Sequence, residues 1–172
     1  MEQQVASIMQ QWSRITSVDL IKRQLSAAEK IALVEGLKHS GSTITTLRLM
    51  KNKCEAETIE SIFAALGENQ RLLQFSCRFN SVSDMMVGKL VQPLAVNFTL
   101  TALSLNDNQI GNAGCKSIAD ILRKNRTLED LSLRNNEIGD QGLVVLADSL
   151  KVNKVLDYVY SVRCNCLVLP FT

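Results

Sequence analysis

The chain has 172 residues, 46% of them hydrophobic and 21% charged, which fits one folded domain and is too apolar for a disordered segment. A net charge of +2 is too mild to point to nucleic acid or an anionic membrane surface as partner, and no apolar run approaches the roughly 18 residues of a bilayer span. The first residues, Met1 to Trp12, have neither the basic start nor the continuous apolar core of a secretory signal. A cytoplasmic protein is therefore expected, with nuclear or ciliary residence open, and Cys54, Cys77, Cys115, Cys164 and Cys166 are expected as reduced thiols.

In Met1 to Arg14, Val5, Ile8, Met9 and Trp12 share one helical face, which predicts a helix capping the first coil of the fold. The chain beyond Arg14 is repetitive. Residues 100–127 and 128–155 share twelve identities at a spacing of 28, on the apolar skeleton, the asparagines and the glycines. The same period places unit starts at Ile44, Leu72, Leu100, Leu128 and Leu156, with Ile15 one residue out of register. Apolar residues recur at the first, fourth, sixth and eleventh positions, as in Leu100, Leu103, Leu105 and Ile110. The fourth and sixth positions alternate inward on a short strand. The ninth position reads Asn52, Asn80, Asn108 and Asn136, which predicts a ladder of asparagine side chains bonding backbone groups of the next coil.

The second half of each unit has helical spacing: Ile59, Ile62, Phe63 and Leu66 form one stripe, and Leu143, Leu146, Ala147 and Leu150 another. Ser26 with Glu29 reads as a capping box, and Asp84, Asn112 and Asp140 as N-caps, with Gly111 and Gly139 suiting the preceding turn. Gly88 and Pro93 fall inside the third helical stretch and should bend or shorten it. The lone His39, where a helix ends, is expected to make a favourable contact with the helix dipole. After Val155 a sixth strand begins at Leu156, but residues 163–172 carry no helical pattern. Three readings of that tail stand open: a strand capping the sheet edge, a surface for self-association through the C-terminal edge, or a truncated or altered reading frame.

The pattern Leu-x-x-Leu-x-Leu-x-x-Asn-x-Ile, complete at residues 100–110 and 128–138 and conservatively varied at 44–54 and 72–82, resembles that of leucine-rich repeat proteins of the ribonuclease-inhibitor-like subclass. The resemblance covers Ile15 to Val155. It implies an α/β fold, a right-handed horseshoe with a parallel sheet on the concave face and helices on the convex face. The chain then reads as one domain: a capping helix at 1–14, about five repeats over 15–155, and an incomplete, divergent last repeat at 156–172.

Little in the chain suggests chemistry. His39 has no sequence neighbours for a triad or metal site, Cys164 and Cys166 fall on skeleton columns, and no glycine-rich phosphate loop occurs. No catalytic, cofactor-binding or metal-binding residue is assigned, no cofactor is expected, and a non-enzymatic role is the natural expectation. The third, fifth and seventh positions of each unit point outward on the sheet. They carry the candidate protein-binding residues Arg48, Arg78, Asn106, Asp130, Arg134, Tyr158 and Tyr160, with Lys51 beside them. Arginine and tyrosine are the residue types that most often dominate interfaces. The leading expectation is an interaction scaffold or regulator binding a protein on its concave face. A regulatory subunit of an enzyme (a GTPase activator or a hydrolase inhibitor) and a component of a cytoskeletal or ciliary assembly are the alternatives.

Overall fold

The computed structural model describes residues 1–39, 41–52 and 55–162, the side chains of Ser161 and Val162 apart. Six strands form one parallel sheet in sequence order: β1 (Ser17–Ile21), β2 (Thr46–Met50), β3 (Gln74–Arg78), β4 (Ala102–Ser104), β5 (Asp130–Arg134) and β6 (Tyr158–Val162). Ser17 faces Thr46, 29 residues on, whereas Thr46 faces Gln74, 28 on, so the first unit is indeed offset by one. The helices are α1 (Glu2–Trp12), α2 (Ala27–Lys38), α3 (Ala56–Glu68), α4 (Asp84–Gly88), α5 (Val91–Val96), α6 (Asn112–Lys124) and α7 (Asp140–Leu150). This is the α/β leucine-rich repeat solenoid that the resemblance implied.

The first five units bury their fourth and sixth positions, for example Leu47 and Leu49, Phe75 and Cys77, or Leu131 and Leu133. They pack against helical stripes such as Ile59, Ile62, Phe63 and Leu66, and the Phe63 and Phe75 rings meet edge to face at 6.1 Å. Ile15 departs from its column and is exposed, because the chain is still leaving α1 there. Ala147 is also exposed, and Val145 packs against the core in its place. Helix α1 lies against α2 through half-buried Val5, Ile8, Met9 and Trp12.

The asparagine ladder exists, but it runs toward the preceding coil. Asn108 Oδ1 accepts from Asn80 N and Val82 N, and its Nδ2 donates to the carbonyls of Cys77, Leu105 and Asn106. Asn52, Asn80 and Asn136 act alike. A second ladder is absent from the expectations drawn on sequence. Asn69, Asn97, Asn125 and Asn153 donate to Leu37, Leu66, Leu94 and Leu122, last-turn carbonyls of the helix one unit back that have no partner within that helix.

The helix starts correct a further expectation. The capping box of Ser26 and Glu29 is present, and the Ser26 backbone N–H, then its hydroxyl, holds the Glu29 carboxyl below its usual range. Asp84, Asn112 and Asp140, however, are the first helical residues and do not cap their own helices; the N-caps are Ser83, Gly111 and Gly139. Asp84 instead accepts from Gly111 N at 2.6 Å, and Asn112 accepts from Gly139 N and Gly142 N at 2.9 and 3.0 Å. Each serves the helix of the following unit. A Cβ on Gly114 would lie 2.5 Å from Asp84 Oδ1, and one on Gly142 would lie 2.8 Å from Asn112 Oδ1, so these two glycines make room for a neighbour's cap.

No glycine of the described chain has positive φ, so Gly111 and Gly139 are not there for the turn's conformation. The left-handed positions include the eighth of each of the first five units, Lys22, Lys51, Phe79, Asp107 and Asn135, at φ +50 to +58°; Ser81, two residues after Phe79, is a sixth at φ 56°. The third helical stretch is broken as expected. Lys89 N and Leu90 N bond back only three residues, to Met86 and Val87, before α5 starts afresh. His39 ends α2 by donating its N–H to the Glu35 carbonyl, and its ring Nδ1 accepts from Gly41 N, so the imidazole also braces the turn that follows the helix.

Candidate functional site

The uncovered face of the sheet is built from the outward unit positions, and its residues differ sharply from one end to the other. On the N-terminal side Arg48 reaches across to Asp19 on β1 at 3.0 Å, both half exposed. Arg78 pairs with Asp107 at 3.1 Å, and this carboxylate is nearly buried. The exposed Arg48–Asp19 pair contributes little stability on its own, so the Arg48 guanidinium remains available to a partner.

At the other end, Asp130 and Tyr158 are register partners, as are Ser132 and Tyr160. The Arg134 guanidinium lies 4.7 Å from the Tyr160 ring centre. Tyr158 and Tyr160 stack nearly parallel, with centroids 6.2 Å apart, and Tyr158 is 45% exposed. Between the two ends lies a shallow groove of about 380 Å³ floored by Leu47, Phe75, Leu103 and Leu131. Arg48, Arg78, Asp130 and Tyr160 all line it, so four of the predicted residues come together; Arg134 and Tyr158 stand beside it.

Asn106 is different. It is buried, and its Oδ1 accepts from the Ser132 hydroxyl and from Arg134 N, both at 2.7 Å. This asparagine holds β4 to β5 where β4 has already ended at Ser104.

Several notable surface residues lie outside the predicted set. Ile21 and Met50 face each other across β1 and β2, and Met50 faces Arg78 on β3. Phe79 comes next along the chain, 39% exposed, with the Lys51 ammonium 4.4 Å from its ring centre. The available signal is the eighth column itself, in which an aromatic interrupts polar residues.

Among the described residues no group of three or more His, Cys, Asp or Glu is placed to hold a metal ion, and no helix is long and apolar enough to cross a membrane. Cys115 is buried, and that burial, with the Asp84 carboxylate adding to it, pushes its thiol up to about 12. It is a core residue rather than a nucleophile. Cys164, Cys166 and the tail readings lie outside the described residues, as does Cys54.

Residues 96–119 and 124–147 match the family model described as Leucine Rich repeat. No curated protein matches the chain. Among solved structures, one titled Leiomodin-1 Actin-Binding Site 2 superposes with a TM-score of 0.64 at 17% identity, covering 96% of this chain and 80% of that one. A tropomodulin C-terminal domain from Caenorhabditis elegans gives 0.59 at 14% identity, covering 96% and 84%. These likenesses are likenesses of fold.

Proposed function

We propose that this leucine-rich repeat chain, with the unit length of the ribonuclease-inhibitor-like subclass, is a cytosolic protein-interaction module that grips a partner protein on the uncovered face of its sheet. The observation that carries the reading is the cluster of Arg134, Tyr160 and Tyr158, stacked and partly exposed beside a groove that also gathers Arg48 and Arg78. Large rigid rings and guanidinium groups supply contact area and directed hydrogen bonds at small entropic cost, which is why they anchor interfaces. The paired arginines add steering toward an acidic or mixed surface.

Because the leiomodin structure is titled for an actin-binding site, actin is the first partner to test. Purified full chain is titrated with actin monomers and co-sedimented with filaments, beside the double variant Tyr158→Ala/Arg134→Ala. Binding that weakens about tenfold or more in the variant supports both the face and the partner. If the wild-type chain ignores actin, the partner is another protein, to be identified by proximity labelling in cells with the same double variant as control. A partner retained equally by that variant overturns the uncovered face as the binding site.

A further inference from the structure

The eighth position of each unit is a left-handed turn residue, and four of the five obey a simple rule. Asp107 and Asn135 belong to the types that tolerate this conformation best, and Lys22 and Lys51 are at least polar and flexible. Phe79 breaks the rule. It carries an aromatic at φ 55° and leaves 39% of it in water, so the position satisfies neither the backbone nor the core. Strain retained together with exposure is the mark of a side chain held out for a contact.

The surroundings say what kind of contact. The ring lies beneath the Lys51 ammonium at 4.4 Å and within 5.7 Å of the Arg78 guanidinium carbon. Backbone bonds from Lys22 N to the Met50 carbonyl and from Lys51 N to the Arg78 carbonyl fix these turns side by side. Exposed Ile21 and half-buried Met50 extend the apolar strip along the same rim. Arg48 and Arg78 are matched by Asp19 and Asp107, but no described carboxylate lies within ion-pair distance of Lys22 or Lys51. The rim is therefore an apolar strip edged with two lysines that no described carboxylate pairs, Lys51 resting on the Phe79 ring.

We infer that the rim formed by Ile21, Met50 and Phe79 with Lys22 and Lys51 is a second docking site, for an acidic peptide segment of a partner protein that carries an apolar anchor. The anchor lies on Phe79, Met50 and Ile21, and carboxylates meet Lys22 and Lys51. The aliphatic members of the strip favour a peptide over a nucleic acid, which would call for stacked rings and a denser basic track. The site runs from β1 to the end of β3, away from Tyr158 on β6, and shares only Met50 with the lining of the groove described above.

The test uses the left-handed backbone itself. Asparagine suits that conformation, so Phe79→Asn removes the ring while leaving the fold as stable or more stable by thermal midpoint. A random dodecapeptide library displayed on phage is selected on the full chain, with Phe79→Asn and Lys51→Glu as counter-targets. The expected winners are rich in Asp and Glu with a Leu, Ile or Phe anchor. As synthetic peptides they lose about tenfold or more in affinity on either variant, weaken with salt, and bind Tyr158→Ala/Arg134→Ala unchanged. Failure to enrich such sequences, equal binding by Phe79→Asn, or tighter binding of a single-stranded oligonucleotide that displaces the peptide overturns the proposal. A large loss of stability in Phe79→Asn would also overturn it, by making the ring a structural element.

Discussion

Between residues 72 and 99 the sheet is covered by two short helices, α4 and α5, whereas between 100 and 127 the thirteen-residue α6 does the same work unbroken. The strands beneath them nevertheless keep register, Phe75 facing Leu103 and Ser76 facing Ser104. Both units carry their two ladder asparagines, Asn80 with Asn97 and Asn108 with Asn125, and all four are buried. A unit is thus defined by the inward strand pair and the two asparagines that tie it to the coil before. Helix continuity is a local option. The bonds explain this: the ladders satisfy backbone groups that would otherwise be buried without partners, while any apolar helical face of the right width can cover the sheet.

The largest test of that view is Asn108→Ala. It strands the buried N–H groups of Asn80 and Val82 and frees three carbonyls, and we expect a loss of about 3 kcal/mol in urea unfolding. Asn136→Ala should cost about 1 kcal/mol, because Asn136 is only half buried and accepts from the single donor Ile110 N. Equal losses would mean that burial of the bonded groups does not set the cost.

A second comparison contrasts glycines of the two units. Gly114→Ala drives a methyl group to 2.5 Å from Asp84 Oδ1 and 2.6 Å from Ile110 Cγ2, and should cost about 2 kcal/mol. Gly88→Ala places its methyl no closer than 3.9 Å from Ser117 Oγ and should be neutral or stabilising by about 0.5 kcal/mol. Thermal or urea midpoints of the two variants side by side decide the matter; a harmless Gly114→Ala would show that the cap from Asp84 can move aside.

These contrasts also show how much of the molecule is legible in its sequence. The inward columns and the first asparagine column recur at a fixed spacing, and their physics is local to the strand, so both are plain. The second asparagine column has the same spacing, and the identity of Asn125 with Asn153 is present in the repeat alignment. It is easily missed because it falls after a helix, where asparagine passes for an ordinary end residue. The caps from Asp84 and Asn112 point to the wrong helix because an acceptor near a helix start satisfies the same sequence rule whether it serves its own unit or the next. Strand alternation predicts an exposed Asn106, but it stops applying once β4 ends at Ser104 and the side chain turns in to bond β5. Among the binding candidates, the pairing of Arg134 with Tyr160 spans 26 residues and depends on the register of β5 and β6, although the tyrosines themselves are visible in their columns.

The smallest expected effect bears on why the third unit's helix is broken at all. In one continuous helix the Pro93 ring would collide with the carbonyl four residues earlier, that of Lys89, and the chain avoids this by ending α4 at Gly88. Once α5 begins at Val91, Pro93 sits in its first turn, where a missing N–H costs nothing. The new start also lets α5 approach α3 so closely that a Cβ on Gly67 would lie 3.1 Å from Pro93 Cα. Two causes for the break can therefore be separated: the proline, or the packing of α5 on α3. If packing holds it, Pro93→Ala keeps both short helices and loses about 0.5 kcal/mol, because the unfolded chain gains freedom while no folded contact changes sign. Far-UV circular dichroism would then match the parent. If the proline alone holds it, removing the ring lets Lys89 and Leu90 take up bonds four residues back, and both helical signal and unfolding midpoint rise. We expect the first outcome, since Leu90 and Leu94 are already buried where α5 stands and a straight continuation of α4 would have to surrender that position.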